Sequence, residues 1–534
     1  MERYFNTAGS NVPSMQYTLD PLSRLDLDEI LTLIRQGKYF GLHAPRLSGK
    51  TSYLLALRDY LNERGDYIAV YVNVEGGQAA RNDVLTVISG ACETIGHRTA
   101  AVIKDQTPIQ LLEQIKSVSS SAMLTSYLSY LSEALPKPLV LFIDEIDALV
   151  GDSLVSVLRQ IRAGYDERPT RFPQSIVLCG VRDVRDHRIV LSNQDIITGG
   201  SSFNIKAKSL RLGNFTPDEI RRLYGQHTAE TGQVFEEECF PLVWQATEGQ
   251  PWLVNALAHE VTYEMRENRD RTVRITAEMM YRAQERIIYR RDTHIDQLID
   301  KLREPRVKRV IEPIIANSDN VQQQDIPDDD IMYCTDLGLV KKETGRPLRI
   351  AWGIYREIIP RELTWSKQQT MITQEPVWYL NADGSLNIEK LLLDFQQFFR
   401  QNADSWIGQF DYAEAGPQLL LQAFLQRVVN GGGYIDREYG LGRRRTDLLI
   451  RKPLTDGYGG PIQRVVLELK ILRGDLEKTI EKGLEQTSAY MDLVGAVDEG
   501  HFIVFDRSGS KTWDERIWHE TRQYQGRSIM VWGM

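Results

Sequence analysis

A chain of 534 residues with 42% hydrophobic and 26% charged side chains is ordinary for a globular protein and long enough for roughly three or four domains. A net charge of −9, from 64 basic and 73 acidic residues, excludes nucleic-acid recognition by overall positive charge and leaves only local basic patches for it. No apolar run approaches the roughly 18 residues of a membrane span, and four scattered cysteines (Cys92, Cys179, Cys239, Cys334) make neither a zinc pattern nor a disulfide framework, so a reducing cytoplasm is the expected setting.

Tyr39-Phe-Gly-Leu-His43 reads as a short apolar strand, and Ser52 to Leu61 has helical apolar spacing without Gly or Pro. Between them lies Ala44-Pro45-Arg46-Leu47-Ser48-Gly49-Lys50-Thr51, in the strand–loop–helix context that a phosphate-binding loop needs. Backbone N–H groups and the helix N-terminus cradle the phosphates of ATP, Lys50 reaches the β- and γ-phosphates, and the Thr51 hydroxyl ligates Mg²⁺. Ala44 replaces the usual first Gly; an ordinary dihedral there makes this cheap, because the close backbone approach falls on Ser48 and Gly49. Tyr67 to Asn73 reads as a second core strand. Pro138 to Ile143 is a continuous apolar run, the pattern of a strand buried on both faces, and it ends in Asp144-Glu145. Asp144 is expected to hold Mg²⁺ and Glu145 to polarise the attacking water. Ser175 to Gly180 is a fourth strand, followed by Arg182. Arg159 and Arg162, on the helix after Glu145, read as a solvated face rather than as arginine fingers for a neighbouring subunit.

These residues resemble the AAA-type ATPases of the additional-strand P-loop class. A closer resemblance is to a bacterial family that opens with a segment like Tyr4-Phe-Asn-Thr-Ala-Gly9. That family continues with Tyr-Thr-Leu-x-Pro-Leu-x-Arg, here Tyr17 to Arg24, and has a phosphate loop like His43 to Thr51, Ala included. The resemblance covers about the first two-thirds of the chain. It implies ATP hydrolysis with Mg²⁺, assembly into a homo-oligomer, and a sensor residue at the place of Arg182, where a surface loop arginine is the alternative.

Thr216, Pro217 and Glu219 carry the signature of a helix start, and amphipathic segments follow to about residue 290. Thr247 to Val254 resembles the turn and helix in the lid of these ATPases, with Trp252 read as core rather than as an adenine platform. From about 300 to 365 the order helix, helix, hairpin, helix resembles a winged helix, with its turn in Lys341 to Arg349. Its would-be recognition helix carries Asp328-Asp329-Asp330 and Asp336, which phosphate repels, so a structural or protein-contact module is expected.

A polar, linker-like stretch near 365–385 precedes a second α/β region. Arg445 to Ile450 and Arg464 to Ile471 read as paired strands around turn residues 456–461. Alternate residues of a strand share a face, so Glu468 and Lys470 project together, and a hairpin can bring Asp447 beside them. Two carboxylates offer Mg²⁺ or Mn²⁺ an oxygen cage, and Lys470 can orient water or neutralise charge on the phosphorane. Alternating charges on a solvated strand face give the same pattern without chemistry. The arrangement resembles the PD-(D/E)XK, restriction-endonuclease-like nucleases over about 410–510, with Thr446 in place of the usual Pro. That resemblance implies a helix before the hairpin (Pro417 to Val429), with Glu414 just ahead of it as an accessory acid, and Glu438 lies before the Asp447 strand. The resemblance also implies a helix after the hairpin, in which Gln486 of Gln486-Thr-Ser-Ala-Tyr490 lies near the metal. Arg443-Arg444-Arg445 supplies a local basic cluster for DNA phosphate.

The expected architecture is α/β. A P-loop ATPase core spans 1–205, a helical lid 206–295, a winged-helix-like unit 296–368, and a C-terminal restriction-endonuclease-like domain 369–534. The expected function is an ATP-regulated, metal-dependent DNA endonuclease, with defence against foreign DNA as the role its architecture suggests. The alternative is a signalling or assembly ATPase switch whose nuclease-like domain is a non-catalytic docking module.

Overall fold

A computed structural model describes residues 2–534 apart from 184–187, 191–195, 199–203, 291–299, 316–325, 344–347, 357, 360–378, 408–420, 422–423, 426–433, 438–447, 455–460, 473, 496, 498 and 507–510. The chain divides into two units: Met1–Ala283 with Thr335–Gly338, and Gln284–Cys334 with Leu339–Met534.

The first unit is built on a five-stranded sheet. Its strands are β1 (Tyr39–His43), β2 (Ile68–Asn73), β3 (Leu139–Asp144), β4 (Ser175–Gly180) and β5 (Lys206–Arg211). All pairings are parallel, in the order β2-β3-β4-β1-β5. β4 therefore stands between the strand that feeds the phosphate loop and the strand that ends in Asp144. That is the extra strand implied by the resemblance. The period-2 alternation of β3 splits the core in two. Leu139, Leu141 and Ile143 pack against Leu154 and Leu158 of α2 (Gly151–Ala163), whereas Val140 and Phe142 pack with Leu54 and Leu57 of α1 (Lys50–Arg64). With apolar residues needed on both faces, the strand reads as one uninterrupted hydrophobic run.

β5 shows that the sheet continues beyond residue 205, where the sequence places the start of the lid. Lys206-Ala-Lys-Ser-Leu-Arg211 has little apolar content, and its exposed alternation hides an edge strand that only pairing with β1 reveals. After it come α3 (Pro217–Thr231), α4 (Cys239–Thr247) and α5 (Pro251–His259). α3 starts with a complete capping box: Glu219 N–H donates to Thr216 Oγ1, and Thr216 N–H donates to Glu219 Oε2.

In the second unit a mixed sheet holds β8 (Tyr434–Arg437), β9 (Leu448–Pro453), β10 (Ile462–Ile471), β11 (Glu499–Phe505), β12 (Trp518–Tyr524) and β13 (Arg527–Gly533). Its order is β8-β9-β10-β11-β13-β12. The β8–β9 and β9–β10 pairs are antiparallel, β10–β11 and β11–β13 parallel, and β12–β13 antiparallel. Before it, the strands β6 (Val340–Lys341) and β7 (Arg349–Ile350) pair antiparallel after the helices Pro305–Ile315 and Asp328–Asp336. Asp330 is buried and ion-paired to Arg306 and Arg309, at 3.1 and 3.3 Å, so part of the acidic helix is neutralised within this module.

The linker-like reading of 365–385 fails at its C-terminal end. Tyr379 and Leu386 are 5% and 2% exposed and belong to the core of the mixed sheet. The polar residues between them form a turn tied by Asn381 N–H to Ser385 O at 2.8 Å. One sheet face (Leu448, Ile450, Leu467, Leu469, Ile503) packs against Leu391, Leu392 and Phe395 of α6 (Ile388–Ile407). Across the other face, Val466, Phe502 and Val504 meet Ile480, Leu484 and Tyr490 of α7 (Leu476–Val494).

Candidate functional site

The loop Ala44–Thr51 runs from the C-terminal end of β1 to the first turn of α1. Ala44 is buried and its N–H donates to Gly180 O at 3.3 Å, a tie to β4 that uses no unusual dihedral. Positive φ falls instead on Leu47 (57°) and Gly49 (87°), the bend that turns the backbone into the helix. Ser48 is buried and donates from Oγ to Pro45 O at 2.6 Å, while Arg46 and Leu47 are exposed. Lys50 is only 5% exposed, and its ammonium spans the loop to the carbonyls of Ala44 and Pro45 at 2.9 and 3.1 Å.

Opposite the loop, Thr51 Oγ1 donates to Asp144 Oδ2 at 2.7 Å, joining residues 93 apart in sequence. Tyr71 Oη donates to the same carboxylate oxygen at 2.9 Å, from β2. A hydroxyl and a buried carboxylate side by side, with a cation nearby on Lys50, fit an Mg²⁺–triphosphate. Glu145 follows in a left-handed conformation (φ 57°, ψ 39°), and burial pushes its carboxyl above the usual range against the opposing pull of Lys50. Asp147 accepts the N–H of Val181, and burial raises its carboxyl to about 6 against the opposing pull of that hydrogen bond. Gly180 leaves it room, since a Cβ there would overlap the Asp147 carboxylate. Asp147 thus ties the acidic end of β3 to the segment that carries Arg182, whose Nε lies 3.5 Å from Asp336 Oδ2. The sequence reading assigned Tyr71 and Asp147 no part; the Asp-Glu-x-Asp spacing is the one local signal that marks Asp147.

Beside the loop opens a shallow cleft of about 690 Å³ including its open mouth. Asn6, Tyr17, Arg24, Gly49, Phe215 and Trp252 are among its walls. Trp252 is 7% exposed and donates from Nε1 to Thr7 O at 2.8 Å, so it is a core residue with one edge on the cleft. Gln250, at the start of α5, caps that helix and donates from Nε2 to Leu47 O at 3.4 Å. Arg159 and Arg162 are exposed on α2.

In the second unit Glu468 is 1% exposed and Lys470 Nζ lies 3.4 Å from its Oε1. By strand alternation both share the face of Val466, on which α7 packs. Gln486 is half-buried on α7. Asp447, Glu414, Glu438 and the cluster Arg443–Arg445 lie outside the described residues; β9 starts at Leu448, paired with Leu467. Among the described residues no group of three or more His, Cys, Asp or Glu side chains is placed to hold a metal. Nor is any described helix long and apolar enough to cross a membrane.

A parallel sheet with a strand inserted between phosphate loop and acidic strand defines a P-loop ATPase of the additional-strand kind. The AAA-like domain family matches residues 21–358, and the chain belongs to that family. It is similar to the Walker-type ATPase of Pyrococcus abyssi at 15% identity and a TM-score of 0.46, over 66% of this chain and 99% of that one. It is also similar to Cdc6p of Pyrobaculum aerophilum (16%, 0.35, 64% and 92%). The RuvB Holliday junction branch migration motor of Thermotoga maritima matches likewise (13%, 0.31, 64% and 92%). No curated protein matches the chain.

Proposed function

We propose that this AAA-like ATPase uses Mg²⁺·ATP to regulate a metal-dependent nuclease in its second unit, acting on DNA. On the nucleotide side, Lys50 supplies charge for the β- and γ-phosphates, and Thr51 with Asp144 offers the cation a hydroxyl and a carboxylate. When bound, Mg²⁺ neutralises charge on the transferring phosphoryl group. Glu145 accepts a proton from the attacking water, a task suited to a carboxyl whose affinity for protons burial has increased. Arg182, held by the segment that Asp147 caps, is the sensor candidate. The cleft between the N-terminal segment and α5 takes the base and ribose.

One observation carries the nuclease half. An antiparallel ribbon, β8-β9-β10, is followed by α7 and then by β11 parallel to β10, with Glu468 and Lys470 on the face that α7 covers. A helix after the hairpin, carrying Gln486, supports the restriction-endonuclease-like reading. β9 begins at Leu448, opposite Leu467, the residue before Glu468 in β10. With Asp447 and Glu468 as the carboxylates for Mg²⁺ or Mn²⁺, Lys470 would orient water and Gln486 would sit beside the site. Defence against foreign DNA fits a nuclease held under nucleotide control.

The test is incubation of the purified chain with plasmid or single-stranded DNA, Mg²⁺ or Mn²⁺, with and without ATP. Cleavage by wild type and none by Asp447→Ala or Lys470→Ala is the expected result. Wild-type cleavage no greater than that of the variants under every nucleotide condition would discard the nuclease. ATP-dependent assembly or partner recruitment unaffected by either substitution would then identify a docking platform.

A further inference from the structure

Arg24 closes the single turn Pro21–Arg24, whose start is fixed by Pro21 and by the Asp20 carboxylate accepting Leu22 N–H at 2.9 Å. The guanidinium leaves this turn and meets two separate pieces of backbone. Nη1 donates to Ser48 O in the phosphate loop at 2.9 Å, and Nη2 donates to Gly213 O, just before the lid helices. Its central carbon Cζ lies over the Phe215 ring, 4.9 Å from the centroid. A Cβ on Gly49 would come within 3.1 Å of Nη1, so the loop fits closely around it. Burial lowers the group only to about 10, and it stays charged near neutral pH.

The Ser48 carbonyl and the Gly49 N–H belong to one planar trans peptide unit and point in opposite directions. A cation held on that carbonyl polarises the unit and makes the Gly49 N–H a stronger donor, as in any hydrogen-bonded chain at low dielectric. Gly49 is the loop residue next to Lys50, where phosphate oxygens are received. The same guanidinium holds the entrance to the lid through Gly213 and Phe215. We infer that Arg24 is a positioning residue, which sets the phosphate loop for the polyphosphate of ATP or ADP and couples loop occupancy to the lid entrance. A two-pronged planar cation suits this place, because an ammonium reaches only one of the two carbonyls in a fixed geometry.

This assignment rests on the nucleotide reading above, and the experiment separates the two. Affinities of the full chain for ATP, ADP and adenosine are measured by competition for wild type, Arg24→Ala and Arg24→Lys, together with unfolding midpoints without nucleotide. The expected result is a loss of about tenfold for ATP and ADP in Arg24→Ala, the scale of one charged hydrogen bond. Adenosine, which has no phosphate to place, should lose less than ATP and ADP, the residual loss reflecting Arg24's place in the cleft wall. Arg24→Lys is expected to lose roughly threefold, since it keeps the charge and one donor; it decides the matter should Arg24→Ala fail to fold. Unchanged ATP affinity in Arg24→Lys and in a folded Arg24→Ala, or a loss shared equally by adenosine, overturns the role of Arg24. A wild-type chain that binds no nucleotide overturns the nucleotide reading itself, and the inference with it.

Discussion

Glu145 occupies a backbone conformation that side chains other than Gly, Asn and Asp adopt reluctantly, at the end of a strand whose residues are all buried. Such a conformation costs about 1–3 kcal/mol and is kept where the surroundings dictate it. Here it turns the carboxylate off the strand immediately after Asp144, beside the loop that carries Lys50. A base must be ionised to work, and burial has raised this one. Hydrolysis should therefore fail on acidification at a pH above the ordinary carboxylate value of about 4, read as the acid limb of a kcat–pH profile. An acid limb at or below that value would contradict the assignment. Glu145→Gln keeps the shape and removes the base, so turnover should drop by about 10²-fold or more while ATP still binds. Gly180→Ala acts through packing instead. Its methyl group would overlap the Asp147 carboxylate, and the expected loss is about 1–3 kcal/mol, visible in chemical unfolding.

Elements differ in how much of themselves they disclose in the sequence. The phosphate loop and the capping box of α3 are local patterns, a few residues whose spacing states their chemistry, and both were legible. The edge strand β5 was not, because its two lysines and serine give no apolar signal, and its partner β1 lies more than 160 residues earlier. Nor was the turn 381–384, which reads as linker until Tyr379 and Leu386 are seen in the core on either side. Nothing local marks the role of Arg24 in the stretch Tyr17 to Arg24, since its partners Ser48 and Gly213 are 24 and 189 residues away. Just before α3, Phe215 N–H donates to Gly249 O at 2.8 Å, and Gly249 has φ +76°. A Cβ at 249 would overlap the Phe215 backbone, which cannot swing aside as a side chain can. Gly249→Ala should therefore cost about 3 kcal/mol or more. Loss of the cap in Thr216→Ala should cost only about 1 kcal/mol. Paired thermal melts order the two; similar losses would mean the segment around Phe215 and Gly249 is looser than its contacts imply.

On the scale of the whole molecule, nucleotide chemistry and the proposed cutting chemistry fall in different units, each with its own sheet and core. That separation makes the two activities independently breakable. Glu468→Gln preserves volume and hydrogen-bonding atoms while removing the carboxylate that a metal needs. Lys470→Ala, by contrast, removes a half-buried side-chain stem together with the ammonium 3.4 Å from the Glu468 carboxylate, so it loses packing as well as charge. Glu468→Gln should thus abolish DNA cleavage with the unfolding midpoint and ATP turnover held. Lys470→Ala should lower the unfolding midpoint as well as cleavage. In the other direction, Lys50→Ala should lose ATP turnover and, if nucleotide governs the nuclease, alter cleavage in the presence of ATP without touching the metal site. Cleavage by Lys50→Ala that matches wild type with and without ATP would leave two unconnected activities on one chain and end the regulatory reading. Cleavage that persists in Glu468→Gln would end the nuclease assignment, whatever the ATPase does.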